Sequence, residues 1–289
     1  MNLHQYLLTQ LRKNPVARAA VDGARGAATR WHERRVLTPA TAHVPPPQRK
    51  PRVLLLGVYL AHQPHTASHL AERFASSKNF EVDQAWAAIR GEANSTWLAQ
   101  VTRHHAPERG HKFSLLNRLL EAYEWQSYDY VLLSDDDITL PLGFLDAFLS
   151  YQAKHDLALA QPARTPWSRS SYGFVRQRLR TEARLTRFVE AGPITSIRRD
   201  LAPLLMPFDE ESPMGWGFDL IWPLIVEGAG LRMGIIDATP VDHTLRGQAS
   251  AYSGSSEFAR MQSYLTKHAH LPLADALVVR ERYGSRSWL

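Results

Sequence analysis

Three consecutive aspartates, Asp135, Asp136 and Asp137, follow the apolar run YVLLS at residues 130–134. Adjacent carboxylates repel one another, so a strand end keeps three of them where water or a cation compensates their charge. Residues two apart in an extended segment project to the same side, so Asp135 and Asp137 can converge on one hard divalent cation such as magnesium or manganese. The alternative for the same residues is a helix cap or a solvated turn, because aspartate favours both settings.

Two further segments carry residues that could do chemistry. The sequence GWGFD at 215–219 predicts a sharp glycine turn before a helix that begins at or near Asp219. Behind this aromatic segment Asp219 is placed as a general base would be, although a helix N-cap is the alternative reading. His243 ends a predicted strand in an Asp-His pair and could complete the metal site as a neutral imidazole. A lone histidine is more often structural.

The composition limits the class of protein. The chain has 289 residues, 44% of them hydrophobic, which suits one large globular domain. It contains no cysteine, so any metal must be held by Asp, Glu, His or water. A formal net charge of +6 favours polyanions, which include nucleic acids, anionic membrane surfaces and phosphorylated ligands. No apolar window is long enough for a membrane span and the N-terminus lacks a secretory pattern, so we expect a cytoplasmic protein.

Strands and helices alternate along most of the chain. Apolar runs predict strands at 52–60, 80–89, 128–134 and 157–163. Helical periodicity predicts helices at 66–76, 111–125 and 142–155. This alternation predicts an α/β fold with a mainly parallel sheet, flanked by helices, and ligands beyond the carboxyl ends of the strands. The three aspartates follow one of these strands.

Two segments differ from this pattern. Residues 1–50 are predicted to be a basic helical segment followed by a proline-rich linker, with the main domain at 51–289. The basic helix could lie on an anionic membrane surface or pack on the domain itself. Residues 164–190 are rich in arginine and nearly free of acids. They are predicted to form a mobile basic loop or helix over an anionic ligand, or else a solvated surface helix.

The segments GHKFSLLNRLLEAYEWQSYDYVLLSDDDI, EAGPITSIRRDLAPLL, GWGFD and DATPVDH occur in this order between residues 110 and 243. The order resembles the nucleotide-sugar-dependent glycosyltransferases of GT-A fold, especially the inverting family-2-like group. It also resembles a related domain family of unknown function with a Gly-Trp-Gly-x-Asp segment and a late histidine. The likeness covers about residues 52–245. It implies a Rossmann-like sheet, a UDP- or GDP-sugar donor, a glycan or lipid-linked acceptor, and Mn²⁺ or Mg²⁺ as cofactor.

The resemblance also implies roles for individual residues. The metal ligands would be Asp135, Asp137 and His243, and Asp219 would be the catalytic base. The segment GWGFD departs here from the commoner Glu-Asp form of the base motif. Trp216 would stack on the acceptor sugar. The implied donor-binding residues are Lys112, Asp83, Asp135, Asp136 and Arg198, with a purely structural place at the edge of the sheet as the alternative for Arg198.

Other functions remain open at this point. A nucleotidyltransferase would also use an acidic metal site, but the first predicted strand lacks the glycine-rich phosphate loop typical of that class. A nucleic-acid-binding module would explain the positive charge but not the aspartates, Asp219 and His243, and we expect no nucleic-acid partner. A noncatalytic sugar-binding protein of the same fold would keep the pocket. We therefore predict a metal-dependent glycosyltransferase that inverts the anomeric centre, with retention as the alternative, in the cytoplasm or peripherally at the inner membrane face.

Overall fold

The computed structural model describes residues 49–108, 110–246 and 254–284, so the predicted segment at 1–50 lies almost entirely outside the described residues. Nine strands within these ranges form one sheet. They are β1 (Arg52–Leu60), β2 (Glu81–Ile89), β3 (Thr102–Ala106), β4 (Tyr130–Ser134), β5 (Leu159–Arg164), β6 (Thr181–Thr186), β7 (Ile194–Arg198), β8 (Met233–Val241) and β9 (Val279–Gly284). The helices are α1 (Ala67–Ala75), α2 (Thr96–Val101), α3 (Lys112–Leu120), α4 (Phe144–Lys154), α5 (Ala202–Leu205), α6 (Phe218–Gly228), α7 (Gly254–Lys267) and α8 (Leu273–Ala276).

The order of strands across the sheet is β3-β2-β1-β4-β7-β5-β8-β6-β9. The first four strands of this order are parallel to one another, and β5 is parallel to β8. By contrast, β7 is antiparallel to both of its neighbours, and so is β6. All strands except β6 and β7 therefore run in one direction, which confirms the predicted mainly parallel sheet and places their carboxyl ends at one edge.

Helices cover both faces of the sheet because successive side chains of a strand point to opposite faces. Leu54 and Leu56 of β1 pack with residues of α3 and α6 on one face. Val53 and Leu55 pack with residues of α1 and α4 on the other face. All four leucine and valine side chains are fully buried, and each such burial contributes roughly 1.5–3 kcal/mol. The continuous apolar run of β1 is thus explained by a strand that is covered on both sides.

Two predicted segments differ in the structure. The helix predicted at 111–125 ends at Leu120. Tyr123 and Trp125, which follow it, are partly buried and pack against the hydrophobic core. Residues 164–190 do not form an α-helix: they contain a 3-10 turn at Gly173–Val175 and the strand β6, and Arg176, Arg178 and Arg180 between these two elements are exposed. Arg184 of β6, by contrast, points inward and makes a fully buried ion pair with Asp237, with Nε 2.7 Å from Oδ2. Among the described residues, no helix has both the length and the apolar character needed to span a bilayer.

Candidate functional site

A cavity of about 830 Å³ opens at the edge of the sheet where β1, β4, β5 and β8 end. Its lining includes Leu60 and Arg164, the last residues of β1 and β5, together with residues that directly follow β4 and β8. Most of the predicted site residues line it. They are Lys112, Asp135, Asp136, Asp137, Trp216, Asp219 and His243. The structure therefore brings together residues that lie up to 131 positions apart, from Lys112 to His243.

Asp135 is held by a lysine. The Nζ atom of Lys112, the first residue of α3, lies 2.7 Å from Asp135 Oδ1 and donates a hydrogen bond to the carbonyl of Ala191 at 3.1 Å. The backbone N–H of Asp135 donates to the carbonyl of Pro193. A Cβ atom on Gly192 would lie 2.7 Å from Lys112 Nζ, so a larger residue there would push the lysine side chain away from its present position. The predicted donor residues Lys112 and Asp135 thus lie together on the cavity wall.

Asp136 is almost completely buried and ties the ends of two strands together. Its Oδ2 atom accepts a hydrogen bond of 2.7 Å from the backbone N–H of Leu60, and both carboxylate oxygens contact the guanidinium of Arg246. Burial raises the pKa of Asp136 to about 6, and the charge of Arg246 limits that rise. Protein groups thus engage both carboxylate oxygens of Asp136. Its contact with donor sugar or ribose stays a prediction.

Asp137 contacts His243, with Oδ1 3.1 Å from Nε2. An isolated antiparallel bridge between Thr139 and Asp242 joins the segment after β4 to the end of β8 and so sets this distance. The second oxygen, Oδ2, lies 3.5 Å from Arg246. Burial alone would raise the pKa of Asp137, but the hydrogen bond and charge of His243, together with Arg246, outweigh it and leave the pKa lowered.

The Asp137 and His243 pair fits part of a divalent-metal site. Adjacent ligands of an octahedral ion at about 2.1 Å from the metal are about 3 Å apart, which matches the observed 3.1 Å. Asp135 does not join them, and the described residues contain no group of three His, Asp or Glu side chains placed to hold a metal. The set of three ligands, Asp135, Asp137 and His243, therefore stays a prediction, with Asp137 and His243 as the two members that lie in contact. Such an arrangement suits magnesium or manganese, which keep positions for substrate phosphate oxygens.

Asp219 lies in the first turn of α6, two residues after the glycine that caps the helix, so it is not the N-cap itself. Gly215 and Gly217 both have positive φ, +76° and +96°, a conformation that side chains other than glycine rarely adopt. Burial raises the pKa of Asp219 to about 7, the charge of Glu190 adds to the rise, and backbone N–H groups at the helix start oppose it. A carboxylate with a pKa near neutrality can accept a proton from a substrate hydroxyl.

Arg164, Glu190 and Arg246 are charged residues of the cavity lining that were not predicted from the sequence. Arg164, at the end of β5, is fully buried, and its Nη2 donates to Glu190 Oε2 at 2.8 Å. Arg246 holds Asp136 from a position three residues after His243. Arg164 and Arg246 carried no local signal, since both lie in arginine-containing segments that suit the surface equally well. Glu190 begins the segment EAGPITS. Its one signal in the sequence is an acidic side chain next to an arginine-rich segment.

Two predicted donor-binding residues lie elsewhere. Asp83 is the third residue of β2, far from its carboxyl end, and accepts a hydrogen bond of 2.7 Å from the hydroxyl of Tyr128. Arg198 ends β7, but this strand runs opposite to β4, so Arg198 pairs with Tyr130 at the start of β4. There it forms an ion pair with Asp156 at 2.6 Å. Neither residue lines the cavity, and their predicted contact with the donor is corrected accordingly.

Comparison with solved structures identifies the architecture. The Staphylococcus (S. aureus) protein TarS in complex with UDP-GlcNAc matches with a TM-score of 0.53 and 12% identity, over 75% of this chain and 66% of that chain. The mannosyltransferase PcManGT from Pyrobaculum calidifontis, in complex with GDP-Man and Mn²⁺, matches with a TM-score of 0.50 and 14% identity, over 88% of this chain and 76% of that chain. The fold is that of the GT-A glycosyltransferases.

The predicted GT-A fold is thereby confirmed. The matched part spans 66% of the TarS chain with UDP-GlcNAc and 41% of a longer TarS structure, so the relatives contain regions without a counterpart here. No protein-family model matches the chain, and no curated protein matches it either. Within the GT-A sheet of this protein, the cavity occupies the edge at which the parallel strands end.

Proposed function

We propose that this protein is a divalent-metal-dependent glycosyltransferase that moves a sugar from a nucleotide-sugar donor to a hydroxyl of a glycan or lipid-linked acceptor. The observation that carries the proposal is the single cavity that Asp137, His243, Lys112 and Asp219 all line. The GT-A fold supports it, since TarS and PcManGT were solved with UDP-GlcNAc and with GDP-Man and Mn²⁺. The basic sequence at 1–50 suits a reaction at the cytoplasmic face of an anionic membrane.

The donor diphosphate would occupy the side of the cavity formed by Asp137, His243 and Lys112. Asp137 and His243 would hold a divalent cation, which would supply Lewis-acid stabilisation to the leaving nucleoside diphosphate. Lys112 is only partly buried and already lies at the cavity wall, so its ammonium group can donate to a phosphate oxygen in place of Asp135. As the bond from the anomeric carbon to the phosphate oxygen breaks, the ammonium group of Lys112 stabilises the charge that develops on the leaving diphosphate.

The acceptor would enter on the side of Asp219 and Trp216. As the acceptor oxygen forms its bond to the anomeric carbon, Asp219 takes the proton of that hydroxyl. Attack from the face opposite to the leaving diphosphate gives inversion, as a carboxylate base does with water in an inverting glycosidase. Trp216 lines the same cavity and offers an aromatic face for the acceptor sugar.

Ligand-induced thermal stabilisation tests this proposal. The melting temperature is measured with UDP, GDP or CDP, with and without Mn²⁺, for the wild type, for Asp137→Ala and for the control Asp156→Ala, whose side chain is 65% exposed outside the cavity. We expect one nucleotide to stabilise the wild type and the control only when Mn²⁺ is present, because Asp137 would hold the cation that the diphosphate needs for binding. The Asp137→Ala variant should lose this shift. If no nucleotide shifts the wild type under either condition, the glycosyltransferase proposal is wrong.

A further inference from the structure

Glu190 is held in place by buried hydrogen-bond partners, and it has no role in the reaction proposed above. Its backbone N–H donates to Oε1 of Gln161, and its carbonyl accepts a hydrogen bond of 2.8 Å from the hydroxyl of Thr195. Both partners are fully buried. Its carboxylate is bound to Arg164, remains 14% exposed and lines the cavity. Glu190 is therefore a preorganised hydrogen-bond acceptor at the cavity wall.

Arg164 supplies donors at the same wall. Its Nη2 atom is shared between Glu190 and the carbonyl of Gly192, at 2.8 and 2.6 Å. Its Nε and Nη1 atoms have no partner among the described residues, although the side chain is fully buried and the residue lines the cavity. Of eight buried side-chain N and O atoms without a partner in the described part, four belong to residues 164–170. Unpartnered buried donors are costly, so this concentration indicates a missing hydrogen-bond acceptor.

The position of the Glu190–Gly192 segment indicates which part of a substrate it would meet. Gly192 lies against the donor side, because a Cβ atom there would be 2.7 Å from Lys112 Nζ and 3.1 Å from Asp135 Oδ2. At its other end, the charge of Glu190 acts on Asp219 and raises the pKa of that carboxyl. The segment thus runs between the proposed diphosphate side and the proposed base. In a transfer reaction the sugar that moves lies between these two groups.

We propose that Glu190 and Arg164 form a subsite for neighbouring hydroxyl groups of the transferred sugar. This inference rests on the proposed function. A hydroxyl can donate to Glu190 while it or its neighbour accepts from Arg164, so a neutral diol satisfies both residues. An anionic group would be repelled by Glu190, and a cationic group would be repelled by Arg164. The chemical class is therefore a sugar with unmodified neighbouring hydroxyls.

The subsite is tested by the affinity that the sugar adds to the nucleotide. Dissociation constants are measured by calorimetry with Mn²⁺ for UDP against UDP-glucose and for GDP against GDP-mannose. The proteins are the wild type, Glu190→Gln and the matched control Glu182→Gln. Glu182 has the same 14% exposure and an ion pair with Lys154 at 2.6 Å, but it lies outside the cavity.

We expect Glu190→Gln to leave the affinity for the nucleoside diphosphate unchanged and to weaken binding of the nucleotide sugar about tenfold, since a neutral amide oxygen replaces the charged carboxylate as the hydrogen-bond acceptor. Glu182→Gln should match the wild type for both ligands. If the ratio of the dissociation constant of the nucleotide sugar to that of its nucleoside diphosphate is the same in Glu190→Gln and in the wild type, the subsite does not exist. If the wild type binds no nucleotide at all, the proposed function fails and the subsite falls with it.

A second variant covers the case in which Glu190→Gln does not fold. Arg164→Lys keeps a positive charge beside Glu190 but removes the guanidinium N–H groups that have no partner. The dissociation constant of the nucleotide sugar should rise relative to that of the nucleoside diphosphate, whose own affinity should again be unchanged. An unaltered ratio in a folded Arg164→Lys protein, judged by its unfolding transition, would overturn the role of the arginine.

Discussion

The raised pKa of Asp219 has a consequence for stability that is independent of substrate. The pKa is about 7 in the folded protein, against an ordinary value of 3.8, mainly because burial disfavours the charged form. A shift of about 3 units corresponds to roughly 4 kcal/mol of free energy. At alkaline pH the folded wild type therefore carries an unfavourable buried charge. The variant Asp219→Asn has nearly the same shape and cannot ionise, so it should be the more stable protein there.

The pH range of the effect follows from the two pKa values. Below about pH 4 the carboxyl is protonated in both the folded and the unfolded wild type, so ionisation makes no difference between wild type and variant. Between about pH 4 and pH 7 the unfolded chain loses its proton while the folded protein keeps it. The wild type consequently loses stability relative to Asp219→Asn as the pH rises, and the difference levels off above about pH 7.

Urea unfolding of the wild type and of Asp219→Asn at intervals from pH 5 to pH 8 measures this difference. We expect the stability advantage of the variant to grow by about 2–3 kcal/mol over this range, the part of the total that falls between these limits. Altered hydrogen bonds of the asparagine add only an offset that does not change with pH. Asp156→Asn, at an exposed position outside the cavity, is the control for the substitution of a carboxylate by an amide. A difference that is constant from pH 5 to pH 8 would refute the raised pKa.

The other predictions concern the reaction and the core. If Asp219 is the base, turnover of the donor should rise about tenfold from pH 6 to pH 8, and Asp219→Asn should lose most of it; an equal rate at both values would exclude this base. Replacing Arg184 by methionine should cost roughly 3–5 kcal/mol in urea unfolding, because Asp237 is left as an unpaired buried charge. Adding Asp237→Asn should recover part of that loss, and an unchanged unfolding midpoint in the single variant would contradict the buried ion pair.

The sequence predicted the parts of the fold that depend on local pattern. The apolar run at 52–60 became β1, and the run before Asp135 became β4, since a strand covered on both faces needs apolar residues at every position. Asp135, Asp136 and Asp137 could be placed in the site because they directly follow such a run. His243 could be placed there for the same reason, after β8.

The arginine-rich segment 164–190 shows what local pattern does not contain. Charged residues are usually exposed, so composition indicated a mobile basic loop or helix over an anionic ligand, or else a solvated surface helix. The partner of Arg184 is Asp237, 53 positions further along the chain. The sequence around Arg184 therefore does not indicate a buried ion pair. The pairing depends on β6 and β8 being neighbours in the sheet, which is a property of the topology alone.

The direction of one strand explains both the wrong assignment of Arg198 and the failure to predict Glu190. If β7 were parallel to β4, its last residues would lie beside Asp135, and Arg198 would face the cavity. Because β7 is antiparallel, its first residue, Ile194, pairs with Ser134 at the end of β4. The residues that lead into β7, from Glu190 onwards, are therefore the ones beside the aspartates. The site combines the carboxyl ends of parallel strands with the amino end of the antiparallel strand β7. The direction of β7 therefore places Arg198 at the opposite edge of the sheet and Glu190 at the cavity.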